Sequence, residues 1–108
     1  IILDHPCTSF LDVLSMNLPT LISFDMMTFQ INKNSTEDFH KLASCNIFHS
    51  NMIDLTLFLQ SIKDDISTWW FSDEVQLIRK SFCKKYAHCD KHWTHVFEDY
   101  FRKKLNEN

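Results

Sequence analysis

The chain of 108 residues contains no glycine. Average usage is about 7%. Glycine supplies positive φ in tight hairpins, in bulges and past helix C-termini, so its absence argues against a hairpin-rich β protein. It also excludes glycine-rich phosphate loops, dinucleotide fingerprints and nucleophile elbows, each of which needs glycine for close backbone approach. Proline is scarce: Pro6 and Pro19 are the only two, and the sequence beyond them has no strong helix breaker. No run of about 20 apolar residues occurs, so nothing is long enough to cross a membrane as a helix. No motif sets a nucleophile beside a base, and none marks a cofactor site. On these grounds the chain reads as a non-enzyme.

What is present points to a folded core. Hydrophobic residues make up 44% of the chain, including ten Phe and three Trp, and charged residues only 23%. That balance argues against disorder. The length suits a single domain over residues 1–108. The first residue is Ile1 rather than Met, which reads as a processed or trimmed form.

Helix signals dominate. Thr8 or Ser9 caps a helix through Phe10, Leu11, Val13 and Leu14, and Leu18-Pro19 stops it. The apolar residues from Leu21 to Phe29 lack clean periodicity, and Thr28–Asn32 alternates as a short extended stretch would. Ser35 caps a second helix whose apolar face holds Phe39, Leu42, Ala43 and Ile47, with Glu37 and Asp38 in the first turn. Asn51 opens a third, with Met52, Leu55, Leu59, Ile62 and Ile66 at helical spacing and Lys63-Asp64-Asp65 on the wet face. Ser72 with Asp73 and Glu74 opens a fourth. Its stripe runs through Phe82, Tyr86, Cys89, Trp93, Val96 and Tyr100 and ends on Lys103 and Lys104. Unbroken from Asp73 to Leu105 it would be about 50 Å long, so a bend or break is expected.

Cys7, Cys45, Cys83 and Cys89 form an even set, read as two disulfides. On a continuous helix Cys83 and Cys89 are too far apart to pair. Long-range bridges from Cys7 and Cys45 are then expected. A local Cys83–Cys89 bridge would require a break near Ala87. Asn34-Ser35-Thr36 is a glycosylation sequon, which with the cysteines suggests a secreted or extracellular glycoprotein. His88, His92 and His95 share a helix face and could converge on a metal, but no second element supplies partners, so the residues read as a polar flank. Trp69, Trp70 and Phe71 are adjacent and cannot all face one core. At least one is expected at a surface, where it could serve an interface.

Charge is uneven. Residues 1–78 carry three Lys/Arg against ten Asp/Glu, a net of −7, and residues 79–108 carry eight against four, a net of +4. The mixing of Asp90, Glu98 and Asp99 into the basic part argues against nucleic acid. The sequence therefore predicts an all-α bundle or array of about four helices, stapled by disulfides. It would act as a secreted binding protein by protein–protein recognition, as a cytokine-like ligand, effector or antigen does. The alternatives are a helical carrier of an apolar small ligand and an intracellular helical interaction protein with reduced cysteines.

Overall fold

The computed structural model describes residues 1–87 and 93–107, with the side chain of residue 93 left aside. The elements are β1 (Ile2–Leu3), α1 (Thr8–Ser15), β2 (Leu21–Ser23), α2 (Lys33–Ser44), β3 (Phe48–His49), α3 (Met52–Ile62), α4 (Ile66–Trp70), α5 (Asp73–Tyr86) and α6 (Trp93–Asn106). The expectation of an all-α fold is corrected: among the described residues there are six helices and a three-stranded parallel sheet in the order β1-β2-β3. The fold is mixed α/β, built on a β-α-β-α-β path.

The strands were hidden because they are two or three residues long, and β2 and β3 are buried at every position. A strand buried on both sides reads as an apolar run rather than an alternation. The register pairs Leu3 with Ile22 and Ile22 with Phe48, and these side chains join one core with Phe10, Phe39, Leu42 and Phe82 from α1, α2 and α5. The alternate positions, Ile2 and Leu21, turn to the other face, where Leu59, Ile62, Ile66 and Trp69 of α3 and α4 meet them.

A chain without glycine still has to turn back after each helix. Asn17 (φ 57°) and Asn46 (φ 68°) do this in the left-handed region. After α1, the amide of Asn17 donates to Leu14 O and that of Leu18 to Val13 O; after α2, Asn46 donates to Ala43 O and Ile47 to Leu42 O. Both are Schellman closures with asparagine in the place glycine usually takes, and each delivers the chain directly into the next strand.

The third and fourth predicted helices are also revised. Asp65, accepting from the Thr68 amide, starts α4 separately, so the stripe through Ile66 is broken after Ile62. α5 ends at Tyr86, where Ala87 leaves helical geometry (φ −139°, ψ 45°). Phe82 is buried and Tyr86 half-buried, but Val96 and Tyr100 are each 54% exposed, so the long stripe is not one core face.

The expected disulfide staples are corrected as well. Cys7, Cys45 and Cys83 are free thiols, and Cys89 lies outside the described residues. In a parallel β-α-β path each helix runs against the strands. Cys7, at the start of α1, and Cys45, at the end of α2, therefore sit at opposite edges of the sheet. Cys45 is buried, its Sγ 3.4 Å from Leu42 O, and burial pushes its thiol up to about 11. The argument for secretion loses the support that paired cysteines would have given it. Among the described residues no helix is long and apolar enough to cross a membrane.

Candidate functional site

Parallel strands point one way, so the loops leaving their carboxyl ends gather at one edge, and open α/β sheets hold ligands there. Here a cleft of about 470 Å³ opens at that edge. The segment after β1 contributes Pro6 and Cys7, the segment between β2 and α2 contributes Gln30, Ile31 and Asn32, and the first turns of α1 and α2 add Thr8 and Ser35. Phe10, Phe39 and Phe82 form its floor, and Tyr86 stands at the end of α5. The volume falls within the range of small-molecule sites.

Local hydrogen bonding shapes both walls. Asp25 Oδ1 accepts from the Met27 amide and its Oδ2 from Thr28 Oγ1, folding the residues after β2 into a turn. Gln30 closes that turn at φ 50°, with the Ile31 amide bonded to Met26 O. Asn32 then caps α2: its Oδ1 accepts from the Asn34 amide at 3.0 Å. The cap is thus Asn32, three residues before the expected Ser35, which leaves the Ser35 side chain to line the cleft.

A charged cluster braces the cleft from behind. Asp38 Oδ2 accepts from Lys85 Nζ at 2.7 Å and from the Tyr86 hydroxyl, which also lies 3.2 Å from Ser35 Oγ. The hydrogen bond from Lys85, and then that from Tyr86, hold the Asp38 carboxyl below its ordinary value; the same bond raises Lys85. Beyond the cluster, α2 and α5 enclose an open groove of about 750 Å³ lined by Lys41, Ile78, Ser81 and Lys84.

A depressed carboxylate stabilises the fold above its unfolded pKa, and that contribution disappears as pH falls through the folded value. Asp38→Asn should therefore lower stability by about 1 kcal/mol or less near neutral pH, as befits a solvent-facing pair. The gap to the parent chain should close on acidification below the ordinary carboxylate value of 3.8. Thermal melts of both chains from pH 7 to pH 2.5 measure this; a gap that persists undiminished at the acid end would show that the ionised carboxylate contributes nothing.

The residues singled out in the sequence are scattered. Cys7 lines the cleft, Cys45 lies in the core and Cys83 is half-buried on α5. Asn34 is exposed in the first turn of α2. His95 is exposed on α6, whereas His88 and His92 lie outside the described residues. Among the described residues no three His, Cys, Asp or Glu side chains gather to hold a metal. Trp70 is fully buried, Trp69 is half-buried with Nε1 donating to Cys45 O at 3.0 Å, and Phe71 is 57% exposed.

Sequence reasoning missed Asn32, Ser35 and Tyr86 as cleft residues, because only the parallel topology brings them together. It also missed Arg79, which is buried with no carboxylate partner among the described residues. Its Nη1 donates to Leu14 O at 2.9 Å, and its Nε and Nη2 donate to Gln76 Oε1. A guanidinium on the last carbonyls of α1 meets the negative end of that helix and fixes α5 against it.

Comparison with known proteins adds one finding: the family model described as LIC12162 family transferase matches residues 1–101. The chain belongs to the LIC12162 transferase family. The expectation of a non-enzyme is thereby corrected. The motifs whose absence suggested it are signatures of particular chemistries. A transferase that seats its substrates between elements of an α/β sheet need carry none of them. No curated protein and no solved structure matches this LIC12162 transferase family member.

Proposed function

We propose that this transferase chain holds the acceptor of the transfer in the cleft at the carboxyl edge of its sheet. The lining carries the reading. Among the described residues its hydrogen-bonding side chains are uncharged in their ordinary state: Cys7, Thr8, Gln30, Asn32, Ser35 and Tyr86, above an aromatic floor. A phosphate-activated donor calls for cations or a nest of backbone amides, usually glycine-rich. Among the described residues no Lys or Arg lines this cleft, and the chain has no glycine. Neutral hydroxyl or amide groups of an acceptor fit it better. The Tyr86 proton is committed to Asp38, so its oxygen presents lone pairs that accept from an acceptor hydroxyl.

Amide chemical-shift mapping tests the reading, with glucose as a neutral polyol probe and uridine diphosphate as an anionic one. Glucose at millimolar concentrations should move the amides of Thr8, Asn32 and Ser35. Tyr86→Phe should weaken that response several-fold while leaving the remaining spectrum in place. Uridine diphosphate shifting these amides while glucose leaves them unmoved would assign the cleft to a donor instead.

A further inference from the structure

We propose that the groove between α2 and α5 holds the diphosphate of the transfer's donor, an assignment that rests on the cleft being the acceptor's. Helical spacing builds the groove. Leu77, Ile78, Ser81, Lys84 and Lys85 fall on one side of α5, and Lys41 faces them from α2. The groove adjoins the cleft. Phe82 lines both, and Asp38 on the groove accepts from the hydroxyl of Tyr86 on the cleft. Donor and acceptor are thereby brought to neighbouring sites of opposite character, one cationic and one neutral.

Charge identifies the ligand. On the described lining Lys41, Lys84 and Lys85 meet a single carboxylate, Asp38. That carboxylate is already paired with Lys85 at 2.7 Å. Among the described residues Lys41 and Lys84 form no ion pair, although Glu37 stands one turn before Lys41 on α2. Two ammonium groups, one from each helix, are therefore left facing one opening. Their placement runs against the composition: Lys41 is one of three Lys or Arg in residues 1–78, which hold ten Asp and Glu. Ammonium groups act as point charges toward phosphate, and one on each wall suits a ligand with two phosphates. Leu77, which is 71% exposed, and Ile78 give the organic part of such a ligand an apolar shelf.

Amide chemical-shift titration of the whole chain with inorganic pyrophosphate and with uridine diphosphate tests this. Both probes should move the amides of Lys41, Ser81 and Lys84 at millimolar concentrations and leave those of Thr8 and Asn32 in place. Lys41→Gln with Lys84→Gln should weaken both probes about fivefold, as two lost solvent-facing charge contacts imply. Lys63→Gln with Lys103→Gln removes the same charge elsewhere and should change neither. Leu77→Ser should weaken uridine diphosphate several-fold and spare pyrophosphate. Circular dichroism confirms that each variant folds, as substitutions at exposed positions permit. Binding that falls equally in the two lysine pairs overturns the proposal, as does a diphosphate that moves only the cleft amides or none, or a Leu77→Ser variant that binds both probes as the parent does. The two readings fail separately. Diphosphate in the groove with glucose absent from the cleft removes the acceptor assignment alone, and glucose in the cleft with no diphosphate in the groove removes this one.

Discussion

Replacing Phe39 with alanine should lower the unfolding free energy by about 3–5 kcal/mol, the range for deleting a buried aromatic side chain. Phe39 is 6% exposed on α2, where four other rings surround it: Phe24 at 5.2 Å, Phe48 and Phe82 at 5.6 Å and Phe10 at 6.2 Å between centroids. Those rings come from α1, β3, α5 and the residue following β2, so one side chain ties the helical layer to the sheet. Phe39→Leu keeps most of the volume and should cost only about 1–1.5 kcal/mol. Urea denaturation with an unchanged slope measures both losses. A loss below about 1 kcal/mol for the alanine variant would mean that the rings do not form one core.

Trp70→Ala should have a comparable effect, about 3–5 kcal/mol, for a different reason. Trp70 is fully buried, and its Nε1 donates to Asn17 Oδ1 at 2.8 Å, across 53 residues of sequence. Asn17 is also the left-handed residue that ends α1 and a partner of Gln76 Nε2 at 3.0 Å. The asparagine therefore does two jobs, and they can be separated. Asn17→Gly keeps the backbone geometry and removes the Oδ1 acceptor, leaving the carbonyl oxygen of residue 17 at 3.2 Å from the indole nitrogen; Trp70→Phe keeps most of the ring and removes the donor. A double-mutant cycle between them should return a coupling of about 1 kcal/mol, the net worth of a buried hydrogen bond. Independent, additive losses would show that α4 is not locked to the end of α1 through this bond.

Much of the helical layer was legible in the sequence because its signals are local. Asn51 caps α3 by accepting from the Asp54 amide, and Ser72 precedes α5, where the capping pattern placed them. Phe39 and Leu42 lie buried on one face of α2, as their spacing implies. The sheet was illegible because its evidence is non-local. Leu21–Ser23 is buried at every position and shows no alternation, and Phe48–His49 is too short to show any. The absence of glycine then misled the reading of the turns. It correctly removed glycine-rich loops, but Asn17 and Asn46 supply the left-handed turns that let each helix return to a strand. The four cysteines suggested staples through an even count alone, which carries no geometry. The cleft was out of reach for the same reason as the sheet, since Thr8, Ser35 and Tyr86 are far apart in sequence and meet only at the carboxyl edge.

That edge exists only if the three strands run parallel, and nuclear Overhauser contacts between them measure this directly. The account predicts contacts in the register Ile2 with Leu21, Leu3 with Ile22, Ile22 with Phe48 and Ser23 with His49. It also predicts slowed exchange of the Ile22 amide, which donates to Ile47 O at 2.9 Å. Helical chemical shifts across Leu21–Ser23, or contacts in an antiparallel register, would contradict it.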